Sequence, residues 1–391
     1  MFQYFSRSKD LPFVFLGSLL LSLVAYPTLY ETYTTLPFEG TYGSDAFHYY
    51  QSAYSAAFLG TDCTADLAPL HVCFYSNILY FFQNAKFIAL IISFIVIYSF
   101  TTWLIYITTG RLISFLSINQ NVTFSNSYRF YLLLLLYNPI IAWTLIRGIK
   151  ETFVFLCFAL WFYGVVKWLE GRYVIAFMFV VLSSVLSEYL KPLGSIFIFL
   201  PFILFILFKF IERSFYRKLL VISGSIILFM FFLVIFNSYI TQISAHQDIY
   251  LKQSSGSVNI FSYLSAPLRF ILGPGVIGPF RQLLYGDVFI VSTKVADWLI
   301  FIGGIIWYGS IFKVFFGKFG VFFNFNKNLF YVLFLVSLVG LFYVGVYSFA
   351  YLGQADTRHR AVVYVALAPA MAIIMSVRSI AKRKSGRGYE R

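Results

Sequence analysis

Runs of roughly 20 apolar residues recur along this chain, and they limit its fold more than any other feature. An α-helix rises 1.5 Å per residue, so such a run matches the ~30 Å hydrocarbon layer of a bilayer. Lipid offers backbone amides no hydrogen-bond partner, which leaves helices and closed barrels as the only spanning structures. Barrel strands would alternate apolar and polar residues, and the runs at 131–136 and 226–235 do not alternate. The sequence therefore predicts an all-α, polytopic integral membrane protein with about 10 transmembrane helices. The expected spans are 11–30, 85–109, 130–146, 151–166, 174–190, 193–208, 219–240, 293–312, 329–351 and 361–377. Only 11% of the residues are charged, against about 25% in chains that must present a water-facing surface.

The formal charge of +14 invites a nucleic-acid partner, but its distribution argues against one. With the N-terminus inside, the cytoplasmic segments hold 19 of the 29 Lys and Arg and 4 of the 15 Asp and Glu. The inner face is then +15 and the outer face −1, the positive-inside pattern. The opposite orientation would strand Lys382-Arg383-Lys384 outside. Both termini are thus expected in the cytoplasm, at a bacterial inner membrane, with membrane lipids as partners. Residues 1–391 read as a single transmembrane domain. It carries a first extracytoplasmic loop at 31–84, a second at 241–292 and a basic tail at 378–391. Cys63 and Cys73 share the first loop, where an oxidising compartment permits a disulfide, although spacing alone leaves the geometry open.

Long loops in compact proteins are usually functional. In the first, Asp45–Phe58 reads as a helix lying in the interface, with Gly43-Ser44 as its entry and cap. In the second, the glycines and prolines of 272–279 enforce irregular backbone. Ionisable residues near membrane depth are costly, so each is a functional candidate. Here they gather at the outer ends of the spans. Asp45 and His48 lie in the first loop; Arg147, Lys150 and Glu151 join spans three and four; Glu188 and Lys191 join spans five and six. Arg269 and Arg281 bracket the Gly/Pro segment, and Asp356, Arg358, His359 and Arg360 precede the last span. That several turns present acid and base at one face suggests a site. Each group also has a plainer role: Asp45 complementing a helix dipole, Arg147 and Glu151 as an i,i+4 pair, Glu188 and Lys191 as a snorkelling pair, Arg358 and Arg360 on lipid headgroups. There is no Walker sequence, nucleophile elbow, dinucleotide fingerprint or histidine metal spacing, which disfavours ATP-driven transport and serine hydrolysis.

Four stretches together resemble the GT-C superfamily of membrane glycosyltransferases. They are Gly43-Ser44-Asp45 with the aromatic residues that follow, Asn138-Pro139 followed by Glu151, Lys191-Pro192-Leu193-Gly194, and Arg358-His359-Arg360 with Pro369 beyond. Their order and topological side match across most of the chain. The resemblance implies a sugar, or oligosaccharide, moved from a polyprenyl-(pyro)phosphate donor to a glycan acceptor. Asp45 would be the general base and Glu151 a second acid near the acceptor or a metal. Lys191, Arg358 and Arg360 would hold the donor phosphate; His48, Arg147, Lys150, Arg269 and Arg281 are further substrate-binding candidates. A divalent cation (Mg or Mn) is admitted as a cofactor, held by carboxylates and water. Lys191 stands where the family usually has Arg, and the acid pair common in several branches is absent at position 45. O-antigen and capsule polymerases are similar in size and in their long outer loops.

Such a transfer needs a carboxylate within about 3 Å of the acceptor hydroxyl. It also needs cations where charge develops on the leaving phosphate. The expected course is one inverting displacement at the anomeric carbon. A flippase or transporter of lipid-linked glycans is the alternative of a different class, and it would place charges in mid-span, whereas here nearly all sit at span ends.

Overall fold

A computed structural model describes residues 14, 17, 45–66, 68–83, 86–120, 122–146, 150–191, 194–211, 265–268, 270–271, 294–316, 327–350 and 357–380. The expected spans at 11–30 (but for residues 14 and 17) and 219–240, most of the second long loop and most of the basic tail lie outside these residues.

The described chain is mostly helical. In order it forms α1 (Asp45–Phe58), a short 3-10 turn (Cys63–Ala65), α2 (Pro69–Phe81), α3 (Lys86–Gln120), β1 (Val122–Phe124), α4 (Tyr128–Leu136) and α5 (Pro139–Ile146). There follow α6 (Glu151–Leu169), α7 (Tyr173–Glu188), α8 (Gly194–Ile211), α9 (Lys294–Phe315), α10 (Lys327–Ala350), α11 (Thr357–Ser376) and β2 (Val377–Ile380). Three stretches are long and apolar enough to cross a membrane: Ile92–Ile118, Glu151–Leu169 and His359–Ser376. Five further apolar stretches of 10–17 residues are Tyr128–Ile141, Tyr173–Glu188, Gly194–Leu207, Phe301–Phe315 and Val332–Ser348.

Two expectations are corrected. The span at 130–146 is not continuous, because the chain breaks at Asn138 into α4 and α5. Asn138 Oδ1 accepts from the Ile140 amide at 2.9 Å, capping α5, and its Nδ2 donates to the Gly303 carbonyl of α9 at 2.9 Å. A side chain at Gly303 would strike Asn138, so the glycine is what lets α9 come this close. Asn138-Pro139 is therefore accounted for by capping, with Pro139 at the first helical position, where its missing N–H costs nothing. The fold is also not wholly helical, since β1 and β2 pair antiparallel, Val122 opposite Ile380 and Phe124 opposite Val377.

Direction follows from side-chain neighbours. Near the start of α3, Phe94 stacks on His71, which meets Phe153 of α6; near its end, Arg111 meets Glu170 just past α6. The two helices thus run the same way. The turn from α6 to α7 reverses the chain at Gly171, whose φ of +81° suits glycine. There the Arg172 amide donates to Lys167 and the Gly171 amide to Trp168, a Schellman closure of the helix end. The Ser183 hydroxyl of α7 then donates to the Cys157 carbonyl of α6 at 2.6 Å.

Among the described helices, α11 packs against α3, α4, α5, α6, α9 and α10. Its buried alanines (361, 366, 368, 370 and 372) allow backbones to approach closely, as small residues do between membrane helices. α7 is its opposite. Tyr173, Val174, Phe177, Met178, Leu182 and Val185 are all exposed, the outer face expected of a helix against lipid.

Candidate functional site

The site lies where helix ends converge. α6 begins at Glu151, α7 ends at Glu188, α8 begins at Gly194, α10 closes through Tyr343 and Tyr347, and α11 opens with His359 in its first turn. Between them is a cavity of about 20 Å³, lined chiefly by Lys150, Glu151, Ser187, Lys191, Tyr347 and His359. That volume holds little more than one water, so a larger ligand would find there a wall of polar groups rather than an enclosing chamber. Three helix N-termini (α6, α8, α11) face this region. Their partial positive charge adds to that of Lys150 and Lys191 and is met in part by Glu151 in the first turn of α6 and by the Glu188 carboxylate at the start of α8.

Local packing fixes each group. Gly194 lies against the Ser187 carbonyl, where any Cβ would collide with backbone, and the Ser187 hydroxyl donates to the Gly194 carbonyl at 3.0 Å. This close approach, with the Lys191 amide donating to Ser187 and the Gly194 amide to Lys191, sets Lys191 beside the cavity. The Lys191 ammonium donates to the Tyr347 hydroxyl at 2.7 Å and lies 4.6 Å from the centre of that ring and 5.6 Å from that of Phe197. Such contacts hold a cation in place. The Glu188 carboxylate accepts from the Ser195 amide at 3.0 Å and hydroxyl at 2.7 Å, capping α8.

A second layer comes from the first loop. α1 and α2 pack on each other, and the Cys63–Cys73 disulfide, with Cα atoms 5.0 Å apart, joins the 3-10 turn to α2. Asp62 caps that turn, accepting from the Thr64 amide at 2.8 Å and from its hydroxyl; these bonds hold the Asp62 carboxyl below its usual pKa. The lobe reaches the site twice. Tyr49 of α1 lies under the Lys150 ammonium, 5.5 Å from ring centre, and the Leu70 amide of α2 donates to the Tyr189 carbonyl at 3.0 Å. Fully buried His71 meets Tyr49 edge-on at 4.9 Å.

The expected site residues divide accordingly. Lys150, Glu151 and Lys191 come together at the cavity. His48 is turned elsewhere: it is exposed and pairs with Asp66 at 3.3 Å. Of Arg358-His359-Arg360, the middle residue lines the cavity, its ring 4.7 Å from Tyr347, whereas Arg360 is buried and is not among the lining groups. Asp45 opens α1, one turn ahead of Tyr49. Arg147, Arg269 and Arg281 lie outside the described residues, although Phe270, next to Arg269, packs 6.4 Å from the Tyr347 ring. Sequence reasoning missed Tyr343, Tyr347 and Ser187. The two tyrosines share a helix face by their i,i+4 spacing, but nothing distinguished them among 30 tyrosines. Among the described residues no three of His, Cys, Asp and Glu gather as a metal site.

Comparison with known protein families, curated proteins and solved structures finds no match for this chain.

Proposed function

We propose that this chain is a membrane glycosyltransferase of the GT-C kind. It would work at the extracytoplasmic face of a bacterial inner membrane, moving a sugar or oligosaccharide from a polyprenyl-(pyro)phosphate donor to a glycan acceptor. In this reading about 10 helices span the membrane and both termini are cytoplasmic. The observation that carries it is the meeting of Lys150, Glu151, Lys191 and His359, from three separate turns, at one cavity.

Two markers of sidedness support the orientation. The disulfide-bridged lobe contacts the cavity end, as an oxidising compartment would require. Arg111, Lys167 and Arg172 gather at the other end of α6, as expected of a cytoplasmic face. In the reaction, Lys150 and Lys191 would take up charge growing on the leaving phosphate, which preorganised cations do well where water is scarce. Glu151, 4% exposed, would orient the acceptor hydroxyl or accept its proton, with Asp45 as the other candidate base.

The test is incubation of the purified protein in nanodiscs with polyprenyl-linked glycans, read by mass spectrometry beside Asp45→Asn, Glu151→Gln and Lys191→Met. A new glycosidic product, of inverted configuration and lost in Lys191→Met and in one of the two acid variants, is expected. A retained anomeric configuration would sink the single-displacement course. A ladder of repeats would select a polymerase. Movement of labelled lipid between leaflets with no product would favour the transporter.

A further inference from the structure

Lysine at a phosphate site has a handicap that arginine lacks. Its ammonium is a point charge on four flexible methylenes, with no planar fork to set its direction. Lys191 occupies such a place here, and the structure supplies what its side chain does not. Tyr347 touches it in two ways, through the hydroxyl that accepts from the ammonium at 2.7 Å and through the ring face 4.6 Å away. Phe197 covers a second side at 5.6 Å.

Tyr347 is itself fixed. It is 6% exposed, stacks parallel to Tyr343 at 5.2 Å, meets His359 at 4.7 Å and Phe270 at 6.4 Å. Behind Phe270, the Ile271 carbonyl accepts from the Trp307 indole at 3.1 Å, which ties this part of the second long loop to α9. The phenol is therefore held by α10, α11 and the second loop, while the lysine comes from the turn between α7 and α8.

We infer that Tyr347 is a positioning residue, whose hydroxyl fixes the Lys191 ammonium at the cavity wall so that it meets an anionic phosphate ligand without first being ordered. This rests on the phosphate reading above, but the contact can be tested without it. Tyr347→Phe keeps the ring and its packing and removes the oxygen that accepts from the ammonium. A hydrogen bond to a charged group is worth about a factor of ten or more.

The experiment uses the full chain in nanodiscs with geranylgeranyl monophosphate as probe and geranylgeraniol as the uncharged control. Wild type is expected to prefer the phosphate. Tyr347→Phe should weaken its binding about tenfold, and should cost nothing further in a Lys191→Met background. Equal losses in both backgrounds would overturn the inference, because a merely structural tyrosine acts whether or not the lysine is there. In parallel, amine acylation of Lys191 in ligand-free protein is followed by peptide mass spectrometry. A several-fold faster reaction in Tyr347→Phe is expected, and an unchanged rate overturns the positioning role. If wild type does not distinguish the phosphate from the alcohol, the phosphate reading fails while the acylation rates still decide the part played by Tyr347.

Discussion

The two ends of α6 both carry lysine and glutamate, yet they differ in what lies beside them. At the C-terminal end the charged groups pack on one another. Lys167, with a side chain 1% exposed, donates to Glu170 at 2.5 Å and lies 5.2 Å from the centre of the Tyr163 ring, and Arg111 approaches the same carboxylate oxygen at 3.6 Å. At the N-terminal end Lys150 and Lys191 rest on aromatic rings and a phenol beside a cavity that Glu151 also lines. Aromatic faces thus hold cations at both ends. The cavity is the difference: it gives a ligand a way to Lys150 and Lys191, whereas the Lys167–Glu170 contact closes a helix end.

That contrast can be broken from either side. On the proposed glycosyltransferase reading the largest effect is expected at the cavity, where Lys191→Met should lower transfer activity by about 10²–10³ with little change in the thermal unfolding midpoint in detergent. Glu170→Ala should do the reverse. It strands a buried ammonium and should cost about 2–3 kcal/mol of stability, the buried-pair figure discounted because Glu170 is partly exposed; folded enzyme should retain most of its activity per molecule. Should Lys191→Met unfold the protein, or Glu170→Ala abolish turnover in well-folded material, the division of labour is wrong.

Gly194→Ala comes next. Its methyl would meet the Ser187 backbone, which cannot move aside cheaply. A loss of about 1–3 kcal/mol is expected, together with weaker binding of the phosphate probe, because the turn carrying Lys191 must open. Reducing the disulfide, or replacing both Cys63 and Cys73 by Ser, should act more locally. The bridge closes a loop with a sequence separation of 10. Its removal should cost about 2–3 kcal/mol, seen as faster proteolysis within 45–82, with activity reduced less than in Lys191→Met. The smallest effect concerns Asp62. Its carboxyl is held low by the Thr64 amide and hydroxyl, so the charged form supports the turn above the ordinary aspartate pKa. That support is lost as pH falls through the depressed value. The difference between wild type and Asp62→Ala, measured as amide exchange in residues 62–66, should therefore be present at neutral pH and vanish in acid.

How legible all this was depends on how far apart the partners lie. The helix at Asp45–Phe58 was readable from its own residues, and so were the starts of α6 and α8, where apolar runs begin beside a turn. Charge sorted to span ends pointed to the 150–151, 188–191 and 358–360 turns together, and Lys150, Glu151, Lys191 and His359 do line one cavity. What escaped was long-range. The break at Asn138 draws on Gly303, far along the chain, and a three-residue strand whose partner begins at Val377 has no period to read. Tyr347 looked like any interfacial tyrosine until Lys191 was found on it. The pairing of His48 with Asp66, eighteen positions on, has no local spacing to announce it.

The β1–β2 ribbon has a consequence in time. Val122 emerges from the ribosome about 250 residues before the strand it pairs with, and α4 is made long before α11, which packs on it. At about 5–20 residues per second, that wait is roughly 13–50 s. For that interval Leu132, Leu135 and Leu136, buried in the finished protein, have no α11 to face and must rest on lipid or the insertion machinery. The surface of α4 thus waits for α11 to cover it, and the ribbon fastens α11 once it has arrived.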